Sequence, residues 1–301
     1  MINIILLLVT FFEFFICIFV LTQNPKELTN RIFSILAFIA AIWTFSNYMA
    51  DKFVLSNWLN ITYVFGALLI CAGLIWTIVI TEEKFEYKRL WAFFLIGLFF
   101  SLTPFGDKFI IKSYVLDNAH INKSGWELWV YGIYYITYAL LIIWKLIGAR
   151  KNTQDDLKKN QLTYILIGAS IALGTTALNS IFLPYYSTFL PGAIDDIGFL
   201  FFLIFVVYSI FRHKLFNIRV AMVEIIVLGL WMFILIRILL AKDFHDMIVE
   251  SIIFVILVIL GIIVIQNVLQ GIKQRKEIEE LTKKLEEAYF HLNKKWIITK
   301  D

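Results

Sequence analysis

The chain has 301 residues, of which 60% are hydrophobic and 17% are charged, and its net charge is +4. Soluble domains are about 45–50% apolar and about 25% charged, so this composition excludes an ordinary water-soluble fold and indicates a membrane protein. The small positive charge does not indicate nucleic-acid binding, because the lysines and arginines are concentrated in short loops and a C-terminal tail.

Nine segments approach or reach the roughly 20 apolar residues that a helix needs to cross a bilayer. The first opens without a basic residue and is followed by no cleavage pattern, so we expect a retained helix rather than a signal peptide. A tight turn at Asp51-Lys52 is expected after the second segment. The sequence therefore predicts an all-α fold, a polytopic membrane helix bundle with about nine transmembrane helices. The segments are approximately Ile2–Leu21, Ile32–Ala50, Phe53–Ile80, Leu90–Pro104, Trp126–Ile147, Leu162–Leu183, Ile197–Phe211, Val220–Leu240 and Ile248–Leu269.

The distribution of lysine and arginine between the loops predicts the orientation. The first, third, fifth and seventh loops carry thirteen of these residues, the other loops carry five, and the C-terminal tail adds eight to the first group. Short loops that are rich in basic residues stay in the cytoplasm. We therefore expect a multi-pass protein of the inner (plasma) membrane, with its N-terminus outside and its C-terminus in the cytoplasm.

The longest connection on the expected outer side runs from Gly106 to Gly125. It places two short apolar runs around Asp117-Asn118, a pair of residues that is frequent in turns. This pattern is compatible with a small β-hairpin and equally with an irregular loop that lies on the membrane interface.

Ionisable residues inside the predicted spans are candidate functional residues, since each costs about 2.5–3.5 kcal/mol to place at the bilayer centre. Glu13 lies in the middle of the first span, whereas Glu224, Arg237 and Glu250 lie nearer the ends of later spans. Arg237 and Glu250 are expected at one level of adjacent helices, where an ion pair or snorkelling would explain them without a function. Glu13 is a ligand-binding candidate, with a purely structural interhelical contact as the alternative.

A polar group is predicted near the outer end of the sixth span. Asn179 and Ser180 precede Pro184 there, and Pro191, Asp195 and Asp196 follow before the next span begins. Proline and asparagine loosen a helix, and the freed backbone carbonyls are tolerated only where protein or a cavity meets them. Asn179, Asp195 and Asp196 are therefore further ligand-binding candidates in an outward-facing pocket wall. The alternative is a helix end with its stop signals.

From Gly271 onward the chain becomes a charged, amphipathic segment. Its apolar residues recur at alternating spacings of three and four, which is the a/d pattern of a coiled coil. The pattern covers only a few turns, and a helix this short needs a partner in water. We expect a homodimer through this cytoplasmic helix, with a solvated helix on the membrane surface as the alternative. The predicted dimerisation and signalling positions are Ile278, Leu281, Leu285, Ala288 and Leu292.

The sequence contains no recognisable catalytic centre. It has no Gly-rich phosphate loop, no His-Glu-x-x-His motif and no paired Cys-x-x-Cys motif. Cys17 and Cys71 lie singly in apolar runs, and His291 lacks the acidic residue and proline that follow a phosphoacceptor histidine. We therefore expect no catalytic residues, no metal, no cofactor and no enzyme activity in this chain.

Four short stretches resemble the N-terminal seven-helix sensor region of bacterial histidine kinases. They match the first loop and second helix of that family, the end of its sixth helix, the exit from its seventh helix and the helix that leads to the kinase core. The exit is the most specific of the four. In that order the stretches are Asn24-Pro25 with Asn30, Phe33 and Trp43; Asn179 to Pro184; Tyr208-Ser-Ile-Phe-Arg-His-Lys-Leu-Phe-Asn-Ile-Arg219; and Ile278 to Leu292.

The resemblance implies a seven-helix sensor region over residues 1–212, two additional transmembrane helices over 213–270 and a cytoplasmic coiled-coil helix over 271–301. It implies a signal-sensing module of a two-component system. In that family the phosphoacceptor helix would begin near Asp301, the last residue of the sequence, so we expect the module to lack the kinase core. We expect a stand-alone module or a piece of a longer or split kinase, acting with a separate kinase or another downstream signalling protein. The alternative is a small-solute transporter or channel, which would favour broken helices in matched halves.

Overall fold

The computed structural model divides the chain into two units, Met1–Lys214 and Leu215–Asp301. The structure describes residues 2–23, 25–53, 56–82, 84–106, 110–116, 119–183, 193–213, 227, 230–231, 234–235, 237–238 and 244–298. Within these residues, the helices of the first unit are α1 (Ile2–Gln23), α2 (Leu28–Phe53), α3 (Ser56–Thr81), α4 (Tyr87–Leu102), α5 (Trp126–Asn152), α6 (Asp156–Thr176) and α7 (Ala193–His213). A 3-10 turn, Thr103–Phe105, follows α4, and a π-helical segment, Ala177–Phe182, continues α6.

The helices confirm a membrane fold. Among the described residues, seven helices are long and apolar enough to cross a bilayer. α7, which covers the predicted span Ile197–Phe211, is not one of the seven, and the predicted span at 220–240 lies largely outside the described residues. The expected total of about nine spans therefore stays a prediction. The seven spans are Ile4–Leu21, Leu28–Lys52, Asn57–Thr81, Tyr87–Phe105, Trp126–Asn152, Asp156–Phe182 and Ile248–Val268.

The tight turn that the sequence suggested at Asp51-Lys52 is wrong, because α2 continues through both residues to Phe53. Lys52 lies in the last turn of α2, where a positive charge is favourable beside the helix C-terminus. Its Nζ donates a hydrogen bond to the hydroxyl of Tyr48, one turn earlier, at 3.2 Å. Asp51 and Lys52 therefore belong to the last turn of α2 and do not form a separate turn after it.

The connection between α4 and α5 contains the one strand pair in the described part of the chain. Strands β1 (Ile110–Leu116) and β2 (Ala119–Ser124) pair in antiparallel register, with Leu116 opposite Ala119 and an irregularity between Ile110 and Lys112. This arrangement confirms the hairpin and excludes the irregular loop that was its alternative.

Helix α5 holds the seven-helix unit together through buried tyrosines on one face. The four tyrosines follow the spacing of a helical face and each is about 3–4% exposed. Their hydroxyls donate hydrogen bonds to backbone carbonyls of neighbouring helices, so each apolar ring is buried without an unsatisfied polar end. The bonds are Tyr131 to Tyr63 at 3.1 Å, Tyr134 to Ala67 at 2.9 Å, Tyr135 to Leu173 at 3.4 Å and Tyr138 to Phe93 at 3.1 Å.

An ionic cluster joins α3, α4 and α5 at one end of the unit. Glu82, just after α3, forms ion pairs with Arg89 of α4 and Lys145 of α5. Burial alone would raise the pKa of Glu82, but the hydrogen bonds and positive charges of Lys145 and Arg89 outweigh it and lower that pKa below its ordinary value. Glu82 therefore stays ionised at neutral pH and ties the three helices together.

Helices α6 and α7 pack closely at Gly168, which is buried. A Cβ atom added there would lie 3.1 Å from the Cα of Phe202 and 3.0 Å from the Cβ of Phe205. Small residues at helix contacts let two backbones approach in a membrane, where packing rather than the hydrophobic effect drives association. Gly168 therefore fixes α7 directly against α6.

In the second unit, helix α8 runs without interruption from Phe244 to Ile298, a length of 55 residues. Arg237, in the preceding helical stretch, forms an ion pair with Glu250 of α8, which confirms the pairing expected from the sequence. The Nε1 of Trp231 also donates a hydrogen bond to the carbonyl of Leu257 at 3.0 Å. Glu224 lies outside the described residues.

Two apolar surfaces follow each other along α8. The span Ile248–Val268 is only 11% buried and has a mean hydropathy of 3.2, as expected of a helix whose sides face lipid. Further along, the apolar side chains of Ile278, Leu281 and Leu285 are 61–70% exposed. The side chains of Ala288 and Leu292 lie outside the described residues, and the coiled coil stays a prediction.

Candidate functional site

The first unit contains a buried cluster of three carboxyl groups. Glu13 of α1 is 0% exposed, and Asp195 and Asp196, in the first turn of α7, are 2% and 0% exposed. The charge of Asp196 interacts with those of both Asp195 and Glu13, so the three form one electrostatic group. We call Glu13, Asp195 and Asp196 the carboxyl cluster.

Asp195 is well supplied with hydrogen-bond donors. Its Oδ2 accepts a bond from the hydroxyl of Ser180 at 2.6 Å, and its Oδ1 accepts one from the backbone N–H of Asp196 at 3.2 Å. Asn179 lies close to the same carboxylate. Donors around a buried carboxylate replace the water that burial removes, so Asp195 can remain negatively charged.

The π-helical end of α6 brings Asn179 and Ser180 to that position. Asp155 caps the start of α6, since its carboxylate accepts a bond from the N–H of Leu157 at 2.9 Å, and the helix is regular as far as Thr176. The segment Ala177–Phe182 then widens into a π-helix, a rare geometry that occurs frequently at functional sites. The loosening expected around Asn179 is therefore present. Pro184 and Pro191 lie outside the described residues.

Asp196 has fewer donors than Asp195. The side-chain amide of Asn47, on α2, donates to its Oδ1 at 2.8 Å, and its Oδ2 is buried without a hydrogen-bond partner. Thr44, one turn earlier on α2, lies against both Asp196 and Glu13, but its hydroxyl oxygen forms no well-aligned hydrogen bond. The polar groups of α2 therefore satisfy only part of this carboxylate.

Glu13 is the least satisfied member of the cluster. Both of its carboxylate oxygens are buried without a hydrogen-bond partner, and Thr44 is its one polar neighbour among the groups that affect it. The described groups that affect Glu13, Asp195 and Asp196 include no lysine or arginine. The cluster thus concentrates negative charge without a basic side chain to balance it.

Tyrosines surround the cluster on its inner side. The hydroxyl of Tyr63, on α3, donates a hydrogen bond to the backbone carbonyl of Ser180 at 3.0 Å. Tyr135 of α5 interacts with Thr176 and with the charge of Asp195. These contacts join the end of α6 to α3 and α5. A displacement of the cluster would therefore also displace residues of α3 and α5 in the bundle.

An apolar cavity of about 50 Å³ lies one helical turn from the cluster. Three of its lining residues, Trp43, Thr176 and Phe199, are four positions from Asn47, Ser180 and Asp195 along their own helices. Residues four apart share one face of a helix, about 6 Å apart along its axis. The cavity therefore lies beside the carboxyl cluster, and it is too small for a large ligand.

The structure brings together all four ligand-binding candidates proposed from the sequence: Glu13, Asn179, Asp195 and Asp196. It adds Thr44 and Asn47, which the sequence analysis missed. Their signal was weak, because a single threonine or asparagine in an apolar span is inexpensive compared with a charge. Whether the four candidates bind a ligand stays a prediction.

No curated protein matches the chain. A family model described as the N-terminal 7TM region of histidine kinase matches residues 5–219. These residues include nearly all of α1, all of α2 to α7 and the whole carboxyl cluster. The match confirms the resemblance found in the sequence, and the region it describes is a multi-pass membrane sensor region that is not itself catalytic. The chain therefore belongs to the family of N-terminal seven-transmembrane regions of histidine kinases.

Proposed function

We propose that this chain is the membrane-embedded signal-sensing module of a histidine-kinase-like signalling protein and carries no kinase activity itself. The family match over residues 5–219 is the observation on which the proposal rests. A single continuous helix, α8, joins an apolar span to a polar segment and so offers a rigid route for output. A separate kinase or another downstream signalling protein would read that output.

A sensor of this kind needs two arrangements of its helices. A ligand can shift the balance between them only if it binds one arrangement more tightly than the other. The carboxyl cluster suits this task because it joins α1, α2, α6 and α7 through polar contacts that a bound charge would change. The apolar positions of α8 from 278 onward would carry the change to a second copy of the chain as a shift, tilt or rotation.

The proposed topology has nine spans, with the N-terminus outside and the C-terminus in the cytoplasm of the plasma membrane. The basic loops support it, and so does the position of the ion-paired Glu82, nineteen residues and roughly 28 Å along α3 from Tyr63 at the carboxyl cluster. We expect an N-terminal tag to be accessible from outside intact cells and a C-terminal tag only after permeabilisation. Both tags on one side of the membrane would contradict the odd number of spans.

A small-solute transporter or channel is the alternative, favoured by the buried carboxylates beside a cavity. Reconstitution of the full chain in proteoliposomes separates the two functions. We expect the flux of labelled sodium, chloride, amino acids and small amines to equal that of protein-free liposomes. Liposomes that contain an α-helical membrane protein of another family are the control for leakage. A saturable flux that requires the chain would overturn the sensor proposal.

A further inference from the structure

We propose that Glu13 and Asp196 bind one monovalent cation, a proton or an alkali-metal ion, between α1 and α7. This inference rests on the proposed sensing function for its role, because occupancy of the site would then be the signal that the module detects. The binding itself depends on the polar atoms of the carboxyl cluster and of Thr44 and Asn179 beside it.

Several buried oxygen atoms in and around the carboxyl cluster lack a hydrogen-bond partner. Five buried oxygens of the cluster and its immediate neighbours accept no hydrogen bond within the described residues. Buried polar atoms are nearly always satisfied, and several unsatisfied atoms in one place indicate a missing ion, proton or water. The five are Glu13 Oε1, Glu13 Oε2, Thr44 Oγ1, Asn179 Oδ1 and Asp196 Oδ2.

Two of these five oxygens belong to uncharged side chains, Thr44 and Asn179, and not to the acidic residues. Thr44 is 0% exposed and Asn179 is 6% exposed. Thr44 lies against both Glu13 and Asp196, so its oxygen is directed into the cluster, and Asn179 lies beside Asp195. Hydroxyl and amide oxygens are ordinary ligands of hard cations, which adds neutral donors to the carboxylates.

The division of donors within the cluster identifies where the positive charge would bind. Asp195 has Ser180 and a backbone N–H as donors, whereas Asp196 has Asn47 and Glu13 has none. An uncompensated buried carboxylate costs several kcal/mol, and two close to each other repel. One positive charge between Glu13 and Asp196 would remove both penalties.

The geometry restricts the cation to a small monovalent one. No three His, Cys, Asp or Glu side chains among the described residues converge closely enough to hold a metal ion, so divalent and transition metals lack a cage. The adjoining cavity, of about 50 Å³, is apolar and too small for a bulky organic cation. A proton needs a single oxygen, and a sodium-sized ion can retain water as part of its shell.

The surroundings offer few other groups that could titrate in the same range. α3 contributes Tyr63, α5 contributes Tyr135, α6 contributes the neutral Asn179 and Ser180, and α2 contributes the neutral Thr44 and Asn47. Asp195, on α7 itself, is the remaining acid of the cluster. A response to pH or to an alkali metal that disappears with Glu13 or Asp196 can therefore be assigned to this site.

Occupancy of the site would change the packing of α1 against α7. With the cation bound, Glu13 and Asp196 attract a common charge and hold the two helices together. Without it, the carboxylates repel, which favours separation of α1 from α7 or rotation of one of them. A ligand that binds only the closed arrangement stabilises it by an amount that grows with the ratio of its concentration to Kd.

The test measures thermal unfolding of the full chain in lipid nanodiscs. Sodium, lithium or potassium chloride replaces N-methylglucamine chloride at constant ionic strength and pH, and a separate series lowers the pH from about 8.5 to 5.5 without alkali metal. We expect Tm to rise by about 3 °C or more in one of the two series. A rise with alkali metal at fixed pH identifies a metal ion, and a rise only on acidification identifies a proton.

Glu13→Gln and Asp196→Asn are expected to lose this rise and to be more stable than the wild type without the cation, because each removes the repulsion. The matched controls, Glu86→Gln and Asp156→Asn, change the same charges at exposed positions and should keep the rise. A wild-type Tm that is insensitive to both series, or a rise that survives in both cluster variants, would overturn the cation site. The sensor proposal would still stand if the proteoliposomes described above show no specific solute flux, and specific flux would overturn it whatever the cation result.

Discussion

Replacement of Trp76 by alanine is expected to destabilise the seven-helix unit by about 2–3 kcal/mol. Trp76 is 1% exposed and packs against Phe33 of α2 at a ring-centroid distance of 5.2 Å and against Phe202 of α7 at 6.0 Å. Its removal from α3 would leave a void of roughly 100 Å³ at a cost of about 24 cal/mol per Å³. In a bilayer, the separated helices remain in an apolar solvent, so the void dominates and the water-to-oil transfer contributes little.

The matched control is Trp91→Ala, at a position on α4 that is 60% exposed. Its indole faces outward, so its loss opens no internal void and should change stability by less than about 0.5 kcal/mol. Unfolding in mixed micelles, followed by far-UV circular dichroism against the mole fraction of sodium dodecyl sulfate, measures both variants. Equal destabilisation by the two substitutions would contradict the packing of α3 between α2 and α7.

The sequence was sufficient to predict which segments form helices, because the bilayer imposes a minimum apolar length that α1 to α6 satisfy visibly. Helix ends were less accessible. Hydropathy ends the second span before Asp51, yet the backbone continues to Phe53, since a charged side chain can reach the interface from a helical position. The apolar composition indicates where a segment leaves the lipid, whereas backbone hydrogen bonding determines where the helix ends.

The candidate site was found in part because charges are costly in a membrane. Glu13 stands out for that reason, whereas Asn179, Asp195 and Asp196 stand out through their place around helix-loosening residues after the sixth span. Asn47 did not stand out, although its contact with Asp196 joins residues 149 positions apart. Contacts of this length depend on which helices are neighbours, and the spacing of polar residues along one chain does not contain that information.

The tyrosine face of α5 shows the same limit. Tyr131, Tyr134 and Tyr138 have a helical spacing that can be read from the sequence, but aromatic residues are equally common on lipid-facing surfaces. Only the acceptor carbonyls on α3 and α4 show that these rings are buried. Whether a helix face is buried or faces lipid depends on the neighbouring helices, and these are known only from the three-dimensional structure.

The double substitution Leu281→Pro with Leu285→Pro is expected to abolish self-association of the chain through α8. Each proline removes a backbone hydrogen bond and clashes with the preceding turn, at a cost of about 3 kcal/mol or more inside a helix. Leu281 and Leu285 are 61% and 70% exposed, so a second copy of the chain is the expected partner of their side chains. Disulfide cross-linking of Ile278→Cys in native membranes, with Cys17 and Cys71 replaced by alanine, measures the association.

Two further variants separate the helix from its apolar stripe. Leu281→Ala with Leu285→Ala keeps the helical backbone and removes only the packing surface, so cross-linking should fall but not disappear. Lys284→Ala changes an exposed residue beside the stripe and should cross-link like the parent. If the proline pair cross-links as efficiently as the parent, α8 is not the dimer contact, and the output of the sensor would have to leave the membrane by another element. Loss of cross-linking in the proline pair with retention in Lys284→Ala would instead place that output on the face that carries Ile278, Leu281 and Leu285.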